Sequence, residues 1–318
     1  MTRVPDPTGP GGPDPFAGVD DDEQIDAALD DDEPVDGDLF DDDLFDDDDE
    51  LFDDEIFDDE LFDDDEDDDP DAADGDESPF RDRPPIPTER ALALLAEGAI
   101  EIVGRMPWSS NATFLVDLEH DGLVAQGIYK PARGERPLWD FPSGLYRREV
   151  AAFTMSEHLG WGLVPPTVER DGPLGPGSLQ LFVPADFTQH YFTIRDAGRH
   201  TEVLQQLCVF DIVTNNTDRK GGHVLLDRED RIWAIDNGLS FHAEFKLRTV
   251  IWDFAGQPIP RPVLDTLAGL LDTGLPDAVA AVLSPFERDA ALTRCRAVLV
   301  EGRFPVDHTG RRYPWPLV

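Results

Sequence analysis

Between residues 85 and 318 apolar positions recur first at strand-like and then at helix-like spacing, whereas residues 1–80 follow neither period. Thr88 caps a short helix that runs through Leu95 and stops at Gly98. Strand-like runs at 100–105, 113–118 and 123–129 are joined by Pro107-Trp108-Ser109-Ser110-Asn111 and by His120-Asp121-Gly122, which predicts a three-strand antiparallel meander. Residues 146–159 read as a helix with Tyr146, Val150 and Phe153 on one face and Glu149 beside them. Ser178 to Val183 reads as a further strand, and Pro184-Ala185-Asp186 as a connection between lobes. Beyond Thr201 the spacing of Leu204, Leu207, Cys208 and Ile212 is helical. A hairpin of Val224-Leu225-Leu226 and Ile232-Trp233-Ala234-Ile235 turns at Asp227-Arg228-Glu229-Asp230. Helices at 261–273, 276–283 and 285–300 follow, broken by Gly274, Pro276 and Pro285. Strands first and helices later predict an α+β fold in two lobes, residues 85–183 and 184–318.

Charge divides the chain in the same place. Residues 1–80 hold 38 of the 69 acidic residues and only Arg3 of the 26 basic ones, so −37 of the net −43 belongs to them and −6 to the remainder. Within Asp20 to Asp76 the acidic run is interrupted by Leu39-Phe40, Leu44-Phe45, Leu51-Phe52, Ile56-Phe57 and Leu61-Phe62, at spacings that match neither helix nor strand. Self-repulsion predicts a disordered acidic tail, residues 1–84. It serves either as a solubilising spacer or, because of its repeated aromatic pairs, as a binding segment for a protein partner or for the protein's own site. Two cysteines, Cys208 and Cys295, offer no disulfide framework and suit a reducing setting. With no signal-like N-terminus and no apolar window of spanning length, the expectation is a cytoplasmic protein without a transmembrane segment. The acidic balance offers nothing to bind nucleic acid, although the tail alone could mimic one.

The candidate chemistry lies at Thr217-Asp218-Arg219-Lys220-Gly221-Gly222-His223 and at Ile235-Asp236-Asn237-Gly238. The intervening hairpin brings the two aspartates back toward each other. A transferring γ-phosphoryl group needs counter-charge on the nucleotide phosphates, a divalent ion bridging them, and a group that positions the attacking hydroxyl. Asp218 suits the last task and Asp236 the metal, because magnesium prefers oxygen donors. Of only three lysines, Lys130 ends the third strand and supplies a charge for the phosphates, with Glu149 as its ion-pair partner; Lys220 lies beside Asp218. Ser109, Ser110 and Asn111 occupy the first hairpin turn, where hydroxyls and turn N–H groups could meet phosphate; an ordinary polar turn explains them too. Phe182 and Val183 would line an adenine slot.

Tyr129-Lys130-Pro131, the helix bearing Glu149, Asp218-Arg219 and Ile235-Asp236-Asn237-Gly238 together resemble the phosphatidylinositol 3-/4-kinase family, particularly bacterial relatives of the type II phosphatidylinositol 4-kinases. The resemblance covers about residues 95 to 260. It implies a two-lobed, atypical protein-kinase-like fold, ATP with Mg²⁺ or Mn²⁺, and a hydroxyl acceptor on an inositol lipid or a protein. Two departures stand out: His223 occupies the place where the lipid kinases carry a metal-binding asparagine, and Lys220 the place where many carry histidine. His223 is thus the second candidate metal ligand, and Lys220 joins Asp218 as a candidate catalytic residue. A nucleotide-binding pseudokinase scaffold, with the acidic tail as its partner-binding arm, is the alternative reading.

Overall fold

The computed structural model describes residues 83–106 and 111–318. The acidic tract with its Leu-Phe pairs, and the phosphate-contact residues proposed at Ser109 and Ser110, lie outside them. The fold is α+β. Helix α1 (Thr88–Glu97) precedes β1 (Ala99–Arg105), β2 (Phe114–His120) and β3 (Leu123–Pro131), the expected antiparallel meander. Strand β2 alternates as a half-buried strand should, with Phe114, Val116 and Leu118 inward.

The sheet has five strands, not the predicted four. Helix α2 (Leu145–His158) is followed by β4 (Thr167–Gly172) and β5 (Gly175–Leu181), and the strand order β1-β2-β3-β5-β4 puts β3 in the centre. Gly172-Pro173-Leu174-Gly175-Pro176-Gly177 carries the composition of a loop, which conceals β4 and delays the start of β5 to Ser178. Packing explains these glycines. A Cβ at Gly172 would meet the Tyr129 ring at 2.8 Å, and one at Gly177 would stand 2.4 Å from the carbonyl oxygen of Lys130. Register pairs Lys130 with Ser178 and Pro131 with Gly177, so this close approach fixes the end of the strand that carries Lys130. Gly177→Ala is therefore expected to cost about 1–3 kcal/mol through overpacking. Gly104→Ala, which meets no atom within 4 Å, is expected to stay within about 0.5 kcal/mol. Urea midpoints of the two variants give the comparison.

Residues after the sheet are mainly helical: α3 (Tyr191–Ala197), α4 (Thr201–Thr214), the hairpin β6 (Val224–Leu226) and β7 (Ile232–Ala234), then α5 (Arg261–Thr273), α6 (Asp277–Val282) and α7 (Pro285–Glu301). Helix α3 is seven residues long and has too few turns to show a period in the sequence. Helix α4 is buried continuously from Leu207 to Thr214, the pattern of a central rather than a surface helix. Helix α7 begins with a reciprocal cap between Ser284 and Glu287, with Pro285 at its first position. Glu287 also accepts from Arg148 of α2 at 2.5 Å, and Arg148 donates to the Ser240 carbonyl at 2.6 Å. Those bonds join α2, the segment after Asp236 and α7. Among the described residues no helix is long and apolar enough to cross a membrane.

Candidate active site

Three elements deliver charge to one place. Lys130, near the end of central strand β3, extends its ammonium to Glu149 Oε1 of α2 at 2.5 Å and to Asp236 Oδ1 at 2.8 Å. Glu149 is buried, and its other oxygen accepts from the Asn237 amide at 2.8 Å. One carboxylate thus holds both the lysine and the backbone next to Asp236. Asp236 itself has φ 56°, a left-handed conformation uncommon for residues other than glycine and characteristic of sites whose surroundings over-determine the backbone.

The loop after α4 supplies the second aspartate. Helix α4 is capped by Asn215, also left-handed at φ 57°, and the Asn216 carboxamide oxygen accepts from the Asp218 amide at 2.9 Å. Lys220 Nζ lies 3.2 Å from Asp218 Oδ2. His223 joins the two halves. Its Nδ1 is 3.0 Å from the Asp218 carbonyl, its Nε2 is 3.4 Å from Asp236 Oδ2, and its own carbonyl accepts from the Ile235 amide at 3.0 Å.

Beneath the loop, Arg219 is fully buried against fully buried Asp211 of α4, with Nε and Nη2 reaching the Asp211 carboxylate at 3.0–3.2 Å. The remaining guanidinium bonds go to the Ile235 carbonyl and to Asn237 Oδ1, both at 2.6 Å. One buried cation therefore ties the Asp218 loop to the Asp236 turn.

Electrostatics follow from these contacts. Burial alone would lower the Lys130 pKa, but Asp236 and Glu149 outweigh it and hold it above the ordinary lysine value, so the ammonium is charged. Asp236 is held well below the usual carboxylate range, chiefly by Lys130. Burial raises Asp218, partly offset by Lys220. Burial lowers His223 to about 4, with Asp236 opposing, so the imidazole is neutral at pH 7. A histidine with a folded pKa of about 4 and an ordinary value of 6.5 binds fewer protons when folded. Stability is then expected to fall as pH drops from about 6.5 toward 4, and His223→Gln to flatten that slope; urea midpoints across the range measure it.

Lys130, Glu149, Asp218, Lys220, His223 and Asp236 thus converge as the sequence suggests. The remaining candidates stand apart. Asn111 accepts from the Arg136 amide through Oδ1 at 3.0 Å, a bond to the segment after β3, and among the described residues it makes no bond to the cluster. Phe182 donates its amide to the Gln126 carbonyl and accepts from Arg83 at its own carbonyl, so its main chain is already engaged. Val183 is buried beside Ala185 and Leu225. A cleft lined by Phe182, Val183, Trp233 and the Arg83–Ile86 segment lies along this connection and includes none of the charged cluster. Among the described residues no group of three or more His, Cys, Asp or Glu side chains forms a ready-made metal site.

No family model matches the chain. It is 38% identical over 261 residues to Protein Rv2133c of Mycobacterium tuberculosis, covering 70% of this chain and 94% of that protein. The chain belongs to the Rv2133c family. Among solved structures, a Golgi casein kinase with Mn/ADP bound aligns at TM-score 0.48 and 16% identity over 73% of this chain and 80% of that one. The Helicobacter pylori proinflammatory kinase CtkA aligns at TM-score 0.40 and 12% identity over 66% and 94%.

Two residues of this Rv2133c-family site escape sequence reasoning as site residues. Asp211 lies within the apolar run Cys208-Val209-Phe210-Asp211-Ile212-Val213, and an acid in such a run needs a buried partner, which was its available signal. Asn237 reads as half of an Asn-Gly turn, yet its side chain bridges Arg219 and the Ala234 carbonyl.

Proposed function

We propose that the chain is an ATP- and divalent-metal-dependent phosphotransferase of the phosphatidylinositol 3-/4-kinase-like type, acting on a hydroxyl of an inositol lipid or a protein. The observation that carries this reading is the single ammonium of Lys130 bridging Glu149 and Asp236, with Asp218 held on the adjoining loop through His223. Lys130 places a positive charge where nucleotide phosphates would lie. Val183 N–H and C=O, without hydrogen bonds among the described residues, are the groups of the connection free to read a base, in place of Phe182.

The donor set fits magnesium or manganese, which take one or two protein carboxylates together with substrate phosphates and need no all-protein cage. Asp236, about half exposed, would hold the ion. Imidazole is a poor magnesium ligand, and the neutral ring of His223, its Nδ1–H donating to the Asp218 carbonyl, would hold the Asp218 loop beside Asp236. A bound ion would neutralise charge on the transferring phosphoryl group.

Asp218 orients the acceptor hydroxyl and takes its proton as that oxygen bonds to the γ-phosphorus and the bond to ADP breaks; its burial-raised pKa makes it a better base. Lys220, 3.2 Å away, stabilises the ionised form before the proton moves. The test is incubation with γ-labelled ATP and Mg²⁺ or Mn²⁺, alone, with inositol-lipid vesicles, and with acidic protein acceptors. Label in lipid or protein is the expected result. Retained ATP binding with label in neither would replace this reading with that of a nucleotide-binding scaffold.

A further inference from the structure

Beside Asp218 and Lys220 the surface opens into a groove whose character differs from that of the rest of this acidic chain. One wall comes from residues 138–141, another from 244–248, and the third from the C-terminal segment around 311–315. The C-terminal segment is fixed there by bonds from the Gly221 amide to the Leu317 carbonyl and from Thr249 and Trp252 to the Arg312 carbonyl. Lys246 bridges two walls through Asp140 at 2.7 Å.

Two features of the lining call for a ligand. Arg248 and Arg311 are exposed, and neither side chain has an anionic partner among the described residues. Trp139 is 94% exposed and Trp315 87%, and the Phe245 ring lies under the Arg312 guanidinium at 4.7 Å. Exposed tryptophans beside unpaired arginines are the composition of a recognition surface for a segment that is both acidic and apolar.

The chain itself contains such a segment. Every residue from Leu39 to Phe62 is Asp, Glu, Leu, Ile or Phe, 14 acidic and 10 apolar. Phe62 is 21 residues before Arg83, where the described chain begins. Such a stretch spans up to about 70 Å, against a radius of gyration of about 18 Å for a domain of this size. Between Thr8 and Ser78 the sequence has no Ser, Thr or Tyr. A lipid bilayer fits less well, because the groove is a concavity lined in part by Asp218 and the −37 of residues 1–80 opposes anionic membranes.

We propose that this groove binds the acidic Leu/Ile-Phe segment, residues 39–62, through Arg248 and Arg311 to its carboxylates and through Trp139, Phe245 and Trp315 to its phenylalanines. On the phosphotransferase reading above, a segment without hydroxyls occupies the acceptor's place and cannot be phosphorylated there. The binding itself does not depend on that reading.

The test uses the full chain and a fluorescent synthetic peptide of residues 39–62. In the full-length variant with Phe40, Phe45, Phe52, Phe57 and Phe62 all changed to Ala, the vacated groove is expected to bind the peptide at least tenfold tighter than the unaltered chain does. Adding Arg248→Glu and Arg311→Glu to that variant should abolish the gain, and raising salt should weaken it. Circular dichroism of each variant reports on the fold, and nucleotide affinity, measured in parallel, on the phosphotransferase reading. Equal peptide affinity for the unaltered chain and the five-fold variant, or binding indifferent to both arginines, overturns the proposal. So does a five-fold variant that takes up vesicles of phosphatidylserine and phosphatidylcholine, or an unrelated acidic protein, while ignoring the peptide.

Discussion

Asp218→Asn is expected to keep nucleotide affinity within about twofold and to lower the rate of phosphoryl transfer by about 10²–10⁴-fold, the usual worth of a positioned general base. The amide preserves size and the bond from the Asp218 amide to Asn216, so the loop geometry survives. It cannot take a proton, and it forfeits the ionic part of the contact with Lys220. Rapid-quench measurement of single turnover separates this loss from changes in product release. A matching drop in nucleotide affinity would assign Asp218 to binding and not to the acceptor.

Arg219→Leu carries the largest expected cost in stability. The substitution leaves the Asp211 carboxylate fully buried without a counter-charge and strips a partner from Ile235 and Asn237. Breaking one side of a buried pair costs about 3–5 kcal/mol, which in a domain of this size lowers the melting temperature by roughly 10 °C. The double variant Asp211→Leu with Arg219→Leu removes both charges and is expected to recover most of that loss, because an apolar pair of similar volume suits a buried site. It should remain inactive, since the Arg219 bonds to the Ile235 carbonyl and to Asn237, which set the Asp218 loop against the Asp236 turn, are gone. Recovery of activity along with stability would show that the buried pair has no part in holding the site together. Calorimetric melting and phosphoryl-transfer assays on the three proteins decide it.

How much of this was legible in the sequence follows from the range of the interactions involved. The meander, α2, α4, the hairpin and the last three helices show in local periodicity, because each buries one face or is buried throughout. Strand β4 does not, since Gly172 and Gly177 answer to Tyr129 and Lys130 some 40 residues away, while locally they look like loop. The charged cluster was visible because Lys130, Glu149, Asp218 and Asp236 follow one another in the order that the resemblance to the phosphatidylinositol kinases implies. Asp211 in its apolar run signalled a buried partner, but only the fold shows that the partner is Arg219. The main-chain bonds of Phe182 to Gln126 and Arg83 were hidden for a similar reason, since only the tertiary structure brings those residues near.

Titration calorimetry of ATP against the unaltered chain, with Mg²⁺, with Mn²⁺ and with chelator, tests the central claim most directly, with Lys130→Met and Asp236→Asn beside it. Metal-dependent binding is expected, weakened at least tenfold by Asp236→Asn and weakened also by Lys130→Met. ATP binding indifferent to metal and to both substitutions, or none in the unaltered chain, would contradict it.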